Sequence, residues 1–341
     1  MHLSDFDYNL PPEQIAQHPL ADRAASRLLV LERATGATRH LHFRDLPALI
    51  PPGDLLVINT SRVIPARLHG KRETGNVAEL LLVRELPDGT WLAMGHPGGK
   101  LKPGRRVTFG TDSASEVVEV LGGGLRRIRF VGDLDARATI AKYGAVPLPP
   151  YIKRAPNKAD QDRYQTVYAT HDGSVAAPTA GLHFTTELLA RIHEQRSFVT
   201  AIDLHVGPGT FKPVETEDLG KHPMHPEAYE ISEGAANWVN KVKGVGSGVW
   251  GVGTTVVRAL ESAVDSRGEV GAGVGETSLF IRPPYEFKIV NHLITNFHLP
   301  RSTLLTLVCA FGGYEHVMAA YREAVKEGYR FYSYGDAMVI I

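Results

Sequence analysis

A block of short strand patterns separated by glycine turns, residues 67–146, constrains the fold of this chain more than any other feature. Within it, Pro87-Asp88-Gly89 is a hairpin signal between two apolar runs, and Gly122-Gly123-Gly124 joins another two. Several short strands with glycine turns are typical of a small barrel or sandwich, and we predict a barrel. The predicted strands are 78–86, 90–94, 105–109, 116–121 and 125–131, followed by a short helix at 134–142.

The segments on either side of this block have a different pattern, in which strands alternate with helices. Such alternation implies a largely parallel or mixed sheet. We therefore predict an α/β main domain, formed by residues 1–66 and 147–341, with an all-β barrel domain inserted at residues 67–146. The predicted strands of the main domain are 27–31, 55–58, 198–206, 249–252 and 337–341, and its predicted helices are 12–17, 185–194, 237–242, 255–264, 302–311 and 315–326.

The composition excludes several classes of protein. The net charge is zero, which excludes a chain that is basic all over, although residues 67–146 hold thirteen Lys and Arg against nine Asp and Glu. The single cysteine, Cys309, excludes an internal disulfide framework and fits a reducing compartment. The most apolar segment, 304–311, is far shorter than the roughly 20 residues that span a bilayer, and we see no secretion signal. We expect a soluble, cytoplasmic protein without membrane partners.

Two segments place a histidine beside small residues where a ligand site is expected. His183 lies directly before the predicted helix 185–194, and a helix N-terminus presents unpaired N–H groups to anions. His205 lies at the end of the predicted strand 198–206, and ligands of open α/β sheets bind beyond the carboxyl ends of strands. Each segment also fits an ordinary structural turn, and both interpretations stay open at this point.

Two further segments combine a strand end, a turn and the start of a helix. Residues 250–255 form a strand, a glycine turn and a hydroxyl-bearing cap, an arrangement that can hold a carboxylate or phosphate through backbone N–H groups. In residues 293–303, Asn296 and His298 lie two apart, so an extended chain presents both on one side. Pro300 ends this strand before the next helix. The alternative interpretation of residues 293–303 is an ordinary β–α connection.

Several recurrent sites are missing from the sequence. No histidine pair, cysteine pair or carboxylate cluster has the usual zinc spacing, so we predict no metal site. The turn in residues 250–255 is not G-x-G-x-x-G, which leaves a dinucleotide fingerprint unsupported. There is also no G-x-x-x-x-G-K-[ST] loop and no G-x-S-x-G elbow.

Taken together, these segments closely resemble the S-adenosylmethionine:tRNA ribosyltransferase-isomerase family of the queuosine pathway. The resemblance covers essentially the whole chain, and its specificity comes from many motifs in one order. These motifs are 4–8, 15–20, 26–31, 63–68, 147–152, 163–168, 176–184, 204–211, 253–262, 295–305 and 333–338. The chain departs from the family pattern at Thr60, where an acidic residue is usual, and at Pro208, Val256 and Ser278.

The resemblance implies a specific reaction and fold. Members transfer and isomerise the ribosyl group of S-adenosylmethionine onto 7-aminomethyl-7-deazaguanine at the wobble position of tRNA. Adenine and methionine leave, and the base becomes epoxyqueuosine. S-adenosylmethionine is thus a consumed co-substrate, tRNA is the partner and no metal is expected. The family fold is an α/β domain with an inserted β-barrel, and we expect a monomer.

The reaction assigns roles to the residues singled out above. We expect His183, His205 and His298 to transfer protons, because histidine titrates near neutral pH; which is acid and which is base stays open. The expected substrate contacts are Asn59, Arg62, Thr179, Gly181, Phe184, Gly207, Gly209, Thr210, Thr254, Thr255, Arg258, Glu261, Asn296, Phe297, Ser302 and Asp336. The expected RNA contacts are Lys100, Lys102, Arg105, Arg106, Lys153, Arg154 and Arg163.

Two other classes of protein compete with this interpretation. A noncatalytic RNA-binding factor would explain the local basic clusters but leaves the glycine turns and polar strand ends without a purpose. An ordinary S-adenosylmethionine methyltransferase would release S-adenosylhomocysteine, and the glycine-rich first turn expected for it is missing. Release of free adenine distinguishes the predicted enzyme from both.

Overall fold

The computed structural model describes residues 1–207, 216–221, 224 and 226–341. Its strands are β1 Arg27–Leu31, β2 Thr38–His42, β3 Leu55–Asn59, β4 Ser61–Val63, β5 Arg67–Arg72, β6 Val77–Glu85, β7 Trp91–His96, β8 Arg106–Phe109, β9 Ser113–Val120, β10 Leu125–Gly132, β11 Gly144–Ala145, β12 His171–Ser174, β13 Phe198–Leu204, β14 Glu227–Ile231, β15 Val249–Val252, β16 Gly273–Thr277, β17 His292–Asn296 and β18 Ala337–Ile340. Its α-helices are α1 Ala136–Tyr143, α2 Lys158–Arg163, α3 Thr186–Glu194, α4 Glu233–Gly244, α5 Thr254–Ser262, α6 Thr303–Gly312 and α7 Tyr314–Lys326.

The larger sheet has nine strands from both ends of the chain, in the order β16-β14-β13-β3-β15-β17-β18-β1-β2. Its centre is parallel, because β13, β3, β15 and β17 pair in the same direction. The strand β18 is antiparallel to β17, and β14 is antiparallel to β13. The prediction of a mixed α/β sheet is therefore confirmed.

Both faces of this sheet are covered, because its central strands are apolar at nearly every position. In β1, Leu29 and Leu31 pack in the core beneath α4 to α7, whereas Leu28 and Val30 pack on the opposite face. The opposite face is covered by α3 and by the 3-10 helix Phe43–Leu49. This arrangement follows from the alternation of side chains along a strand, which sends a continuous apolar run to two cores.

The second sheet is built only from residues 67–145 and has the order β11-β5-β6-β7-β10-β9-β8. All its pairings are antiparallel, and β5 pairs with β8 as well as with β6. Its apolar side chains form a core of their own, with Leu80, Val107 and Phe109 fully or almost fully buried. The hairpin predicted at Pro87-Asp88-Gly89 joins β6 to β7, and Gly89 has the positive φ of 75° that this turn requires.

Some predicted elements differ from the observed ones for physical reasons. The helix predicted at 12–17 is only the 3-10 turn Pro12–Gln14, because Ile15 instead bridges to Phe331. The strand predicted at 198–206 ends two residues earlier, at Leu204. The strands β2, β14 and β16 were not predicted. They lie at or near the edges of the large sheet, and their polar side chains interrupt the apolar pattern that is typical of a strand.

The helices of the described ranges include none that could cross a membrane alone. Only the bent pair α6 and α7 reaches the required length and apolarity when both helices are counted together.

Candidate active site

The carboxyl ends of four neighbouring parallel strands meet at one edge of the large sheet. Ligands of open α/β sheets bind beyond this kind of edge. His205 follows β13, Thr254 follows β15, and Asn296 ends β17. Ala337 pairs with Asn296, so the residues that precede β18 lie at this edge as well. Segments far apart in the sequence are thereby brought together.

A small cavity of about 330 Å³ lies at this edge. It is bounded by the end of β17 and by the first turns of α5 and α6. Six of the predicted substrate contacts line it, together with residues that sequence analysis missed, such as Tyr151 and Tyr332. The six predicted residues are Thr179, Thr254, Thr255, Asn296, Phe297 and Ser302.

Buried polar atoms without partners line the small cavity. Asn296 is only 2% exposed, and its Nδ2 donates to the Tyr332 carbonyl at 2.9 Å, while its Oδ1 accepts no hydrogen bond from a described residue. Within the same part of the chain, the hydroxyls of Thr255 and Tyr332 are also unpaired. Because an unsatisfied buried polar atom costs about 1–3 kcal/mol, such a set indicates a place where a polar ligand supplies the missing partners.

A larger cavity of about 810 Å³ lies between the two sheets. The second sheet contributes Trp91 and Met94 to its wall, and the large sheet contributes His205 and Glu227. Arg62, Arg84 and Arg137 add positive charge to its lining. Val206 lines both this large cavity and the small cavity, so the two spaces adjoin at the end of β13.

His183 and His298 are held close to β17 by hydrogen bonds. His183 Nδ1 lies 2.9 Å from Ser26 Oγ, and its Nε2 lies 3.2 Å from Asn296 Nδ2. His298 Nε2 lies 2.8 Å from Thr295 Oγ1. Burial lowers the pKa of each ring to about 3. Both rings are therefore neutral at pH 7, which removes the near-neutral titration that the sequence argument assumed for them.

His205 has a different environment at the wall of the large cavity. Its ring packs directly against Gly173, where a Cβ would approach the ring Nδ1 to 2.5 Å. The Nδ1 atom is buried and has no partner among the described residues. Partial burial lowers the pKa of His205, while the charges of Asp203 and Glu230 oppose that shift. Of the three predicted histidines, His205 is the one that lines the large cavity.

The family departure at Thr60 is explained by a contact near His205. The Thr60 hydroxyl donates to Asp203 Oδ1 at 2.8 Å, and Asp203 Oδ2 lies 2.8 Å from His171 Nδ1. Thr60 thus orients a carboxylate whose charge raises the pKa of His205. Val256 is fully buried in the core, and Ser278 is exposed.

Several predicted substrate contacts are occupied by the protein itself. Glu261 accepts the backbone N–H groups of residues 288–290, and Asp336 accepts those of Arg27 and Arg330. Asn59 bonds to both main-chain groups of Leu204. Each of these three side chains therefore already has hydrogen-bond partners within the protein, and its direct contact with the substrate stays a prediction.

Other predicted contacts also lie outside the cavity walls. Arg258 pairs with Glu227, and Phe184 is packed in the core. Gly181 lies against Tyr168, whose hydroxyl would be 2.2 Å from an added Cβ. Arg62 and Gly207, in contrast, line the large cavity as expected. The predicted contacts Gly209 and Thr210 lie outside the described residues.

Some of the predicted RNA contacts are exposed cations, and others are cations that form hydrogen bonds with other groups of the protein. Lys100, Lys102 and Lys153 are exposed, as are Arg105 and Arg106, which pair with Glu73 at 3.0 Å and Glu116 at 2.9 Å. Arg154 makes two hydrogen bonds to the buried Asp160, and Arg163 donates to the Ala21 carbonyl at 2.8 Å. The guanidinium groups of Arg154 and Arg163 therefore help to fix the segment that follows the second sheet.

No group of three or more His, Cys, Asp or Glu side chains within the described ranges is arranged to hold a metal ion. The residues that sequence analysis missed, Trp91, Gly173, Glu227 and Tyr332, come from four separate elements or turns. Only their position in the folded chain identifies them, because each contributes to a cavity wall but belongs to no sequence motif.

Comparison with known proteins agrees with this architecture. The sequence model of the family described as queuosine biosynthesis protein matches residues 3–340. The S-adenosylmethionine:tRNA ribosyltransferase-isomerase of Thermus thermophilus is 54% identical, over 99% of each chain, and that of Heliobacterium modesticaldum is 50% identical, over 100% of each. The crystal structure of S-adenosylmethionine tRNA ribosyltransferase from Thermotoga maritima has 38% identity and a TM-score of 0.58, covering 99% of this chain and 100% of that one. The chain therefore belongs to the queuosine biosynthesis protein family, and it is an enzyme of the transferase-isomerase class.

Proposed function

We propose that this enzyme transfers and isomerises the ribosyl group of S-adenosylmethionine onto 7-aminomethyl-7-deazaguanine at the wobble position of tRNA. The products are epoxyqueuosine in tRNA, free adenine and free methionine. The observation that carries the proposal is the pair of adjoining cavities at the carboxyl edge of the large sheet. A reaction between a small co-substrate and a nucleotide of a larger partner requires two such spaces, with the reacting atoms at their junction.

S-adenosylmethionine occupies the small cavity in this proposal. The first turn of α5, at Thr254 and Thr255, offers backbone N–H groups and a positive helix pole to the methionine carboxylate. The unpaired Oδ1 of Asn296 is an acceptor for the exocyclic amino group of adenine. The cavity volume of about 330 Å³ is within the roughly 300–1,000 Å³ range of small-molecule sites.

The wobble nucleotide occupies the large cavity. Its apolar wall at Trp91 and Met94 suits a nucleobase, while Arg62, Arg84 and Arg137 suit the adjoining phosphates. A base in an anticodon loop is already single-stranded, so its insertion requires little unpairing. This placement supports contact with tRNA from both sheets, with Lys100, Lys102, Arg105, Arg106 and Lys153 outside the cavity as further phosphate contacts.

The geometry supports different roles for the three histidines. The positive sulfur acidifies the adjacent ribose carbon, and we assign removal of that proton to His205, which lies beside the junction of the cavities. His298 lines the small cavity as a neutral ring, and His183 holds the amide of Asn296. These two rings therefore orient the co-substrate through hydrogen bonds. Positioned acids and bases typically contribute about 10²–10⁴-fold to a rate.

The ring of pairings from β5 through β6, β7, β10, β9 and β8 back to β5 supports a closed, inserted barrel domain. We infer the domain bounds 1–66, 67–146 and 147–341 from the separate core of this sheet. We further propose that the enzyme acts in the cytoplasm, because its substrate is tRNA. We also propose that it acts as a monomer.

The reaction is tested directly with purified protein, S-adenosylmethionine and an anticodon stem-loop that carries 7-aminomethyl-7-deazaguanine. Mass spectrometry should find free adenine, free methionine and a correspondingly heavier nucleoside. Binding of the stem-loop without adenine release would instead identify an RNA-binding factor. Formation of S-adenosylhomocysteine would identify a methyltransferase and refute the proposal.

A further inference from the structure

We propose that Glu227, through its ion pair with Arg258, is a positioning residue that holds the backbone of Gly207 beside His205. The predicted effect on the reaction rate rests on the proposed function. The geometry rests only on hydrogen bonds between described residues. No motif of the sequence analysis includes Glu227, and its role becomes visible only in the folded chain.

The ion pair is buried and its polar atoms are shared between separate elements. Glu227 and Arg258 are 6% and 5% exposed. Arg258 donates from Nη1 to Glu227 Oε2, and from Nε to the Leu279 carbonyl at 3.1 Å. The other carboxylate oxygen, Oε1, accepts the backbone N–H of Gly207 at 3.3 Å. One carboxylate therefore connects α5 with the backbone of Gly207, three residues after β13.

These contacts form a continuous connection between the two cavities. Arg258 lies about one turn after Thr255 on α5, whose first residues line the small cavity. Glu227 lines the large cavity at the start of β14, and the next residue, Ala228, accepts the N–H of His205 at 2.9 Å. The backbone on both sides of Val206 is thus held from β14, once by the main chain and once by the Glu227 side chain.

A positioning role explains why a charged pair, Glu227 and Arg258, occupies this buried site. A buried ion pair gains little stability over well-packed apolar residues of similar volume, because both charges lose their hydration. A carboxylate that accepts a backbone N–H, in contrast, imposes a definite geometry on that backbone. Displacement of a reacting group by about 1 Å can cost about a hundredfold in rate, so a fixed backbone beside His205 has a catalytic consequence.

The test replaces the pair without leaving a single buried charge. The double variant Glu227→Leu with Arg258→Met keeps the side-chain volumes similar and removes both charges, which favours retention of the fold. We expect its kcat for adenine release to fall at least about tenfold, with the KM for S-adenosylmethionine within about twofold of the unaltered enzyme. Glu227→Gln, which retains an acceptor for the Gly207 N–H, should show a smaller loss. The exposed pair Arg267–Glu269, replaced by Met and Leu, is the matched control.

A second measurement decides the geometry without relying on turnover. Hydrogen exchange of the Gly207 amide and the NMR signals of the His205 ring should change in the double variant and stay unchanged in the control. A kcat within twofold of the unaltered enzyme, or an unchanged Gly207 amide in folded variant protein, would overturn the inference. If the unaltered enzyme releases no adenine, the proposed function fails, and the NMR comparison still decides whether Glu227 positions the Gly207 backbone. If the double variant does not fold, a second double variant, Glu227→Met with Arg258→Met, which also removes both charges and the acceptor, is judged by the same two criteria.

Discussion

Burial separates the chemistry of the three candidate histidines at the scale of single residues. His183 and His298 are enclosed beside β17, and their pKa values fall to about 3. His205 lies half-buried at the wall of the large cavity, with carboxylates nearby that oppose the lowering of its pKa. The same residue type therefore provides two neutral hydrogen-bonding rings and one group suited to accept a proton.

The pH dependence of the reaction should follow His205. Because the pKa of His205 lies below its usual 6.5, the ring is a free base at pH 7 to 8 and becomes protonated on acidification. We expect kcat/KM to fall on acidification below the ordinary histidine pKa of 6.5, and His205→Ala to lower kcat at least about tenfold. Measurement of adenine release from pH 5 to 8 checks both points. An unchanged acidic limb in the His205→Ala variant would assign the titration to another group.

The pH dependence of stability should follow the buried histidines. His298 has a folded pKa of about 3 against 6.5 in the unfolded chain, so the unfolded state binds more protons between these values. The stability that neutral His298 contributes is complete above pH 6.5 and is lost as the pH falls toward 3, by roughly 1.4 kcal/mol per pH unit. Urea unfolding from pH 7.5 to 4.5 should show a smaller loss for His298→Asn. Parallel curves for the two proteins would contradict this account.

At the scale of secondary structure elements, the close approach of β12 to the end of β13 positions His205. Gly173 has a φ of 151° and no room for a Cβ, because the His205 ring occupies that space. A side chain at position 173 must therefore move the ring or the strand.

We expect Gly173→Ala to reduce kcat at least about tenfold while the protein remains folded. The matched control is Gly89→Ala, since Gly89 has a positive φ of 75° but no atom within 4 Å of an added Cβ. Both substitutions introduce backbone strain, and only the first reaches His205. Adenine-release rates and thermal unfolding of the two variants measure the difference. Equal activities would show that the contact with His205 has no catalytic effect.

The first turn of α5 should determine the affinity for S-adenosylmethionine. Thr255 lines the small cavity, whereas Arg62 lies on an exposed part of the large cavity wall. We expect Thr255→Ala to weaken binding of S-adenosylmethionine several-fold, through loss of about one hydrogen bond, and Arg62→Ala to leave it unchanged. Isothermal titration calorimetry of both variants tests this division. The reverse pattern would exchange the ligands assigned to the two cavities.

At the scale of the whole molecule, the second sheet and its loops carry exposed cations outside the lining of the large cavity. Reversal of the charges of Lys100, Lys102, Arg105 and Arg106 should weaken tRNA binding at least about tenfold at low salt and reduce its salt dependence, because fewer counterions are released. The comparison uses filter binding at several salt concentrations. The control reverses four exposed cations on α4 and α7, namely Lys241, Lys243, Arg322 and Lys326. Equal losses in both proteins would indicate a nonspecific effect of net charge.

Periodicity and turn residues were sufficient to predict the central elements. The strands β1, β3 and β15 have continuous apolar runs, and the hairpin between β6 and β7 has a strong turn signal, so local sequence defines them. The strands β14 and β16 escaped prediction because their partners are supplied by the fold, and their side chains are mostly polar or partly exposed. Pairing of this kind is a tertiary contact that no local pattern encodes.

The sequence by itself determined the alternation of strands and helices, the run of short strands between residues 67 and 132 and the motifs by which the family is recognised. These properties depend on residue type and spacing, which are local. Only the tertiary structure decided which polar residues are free to bind. Asp336 and Glu261 already accept backbone N–H groups, Asn296 keeps an oxygen that is unpaired among the described residues, and Glu227 joins Arg258 to the backbone of Gly207. The reason is that burial and hydrogen-bond satisfaction depend on neighbours brought from distant parts of the chain.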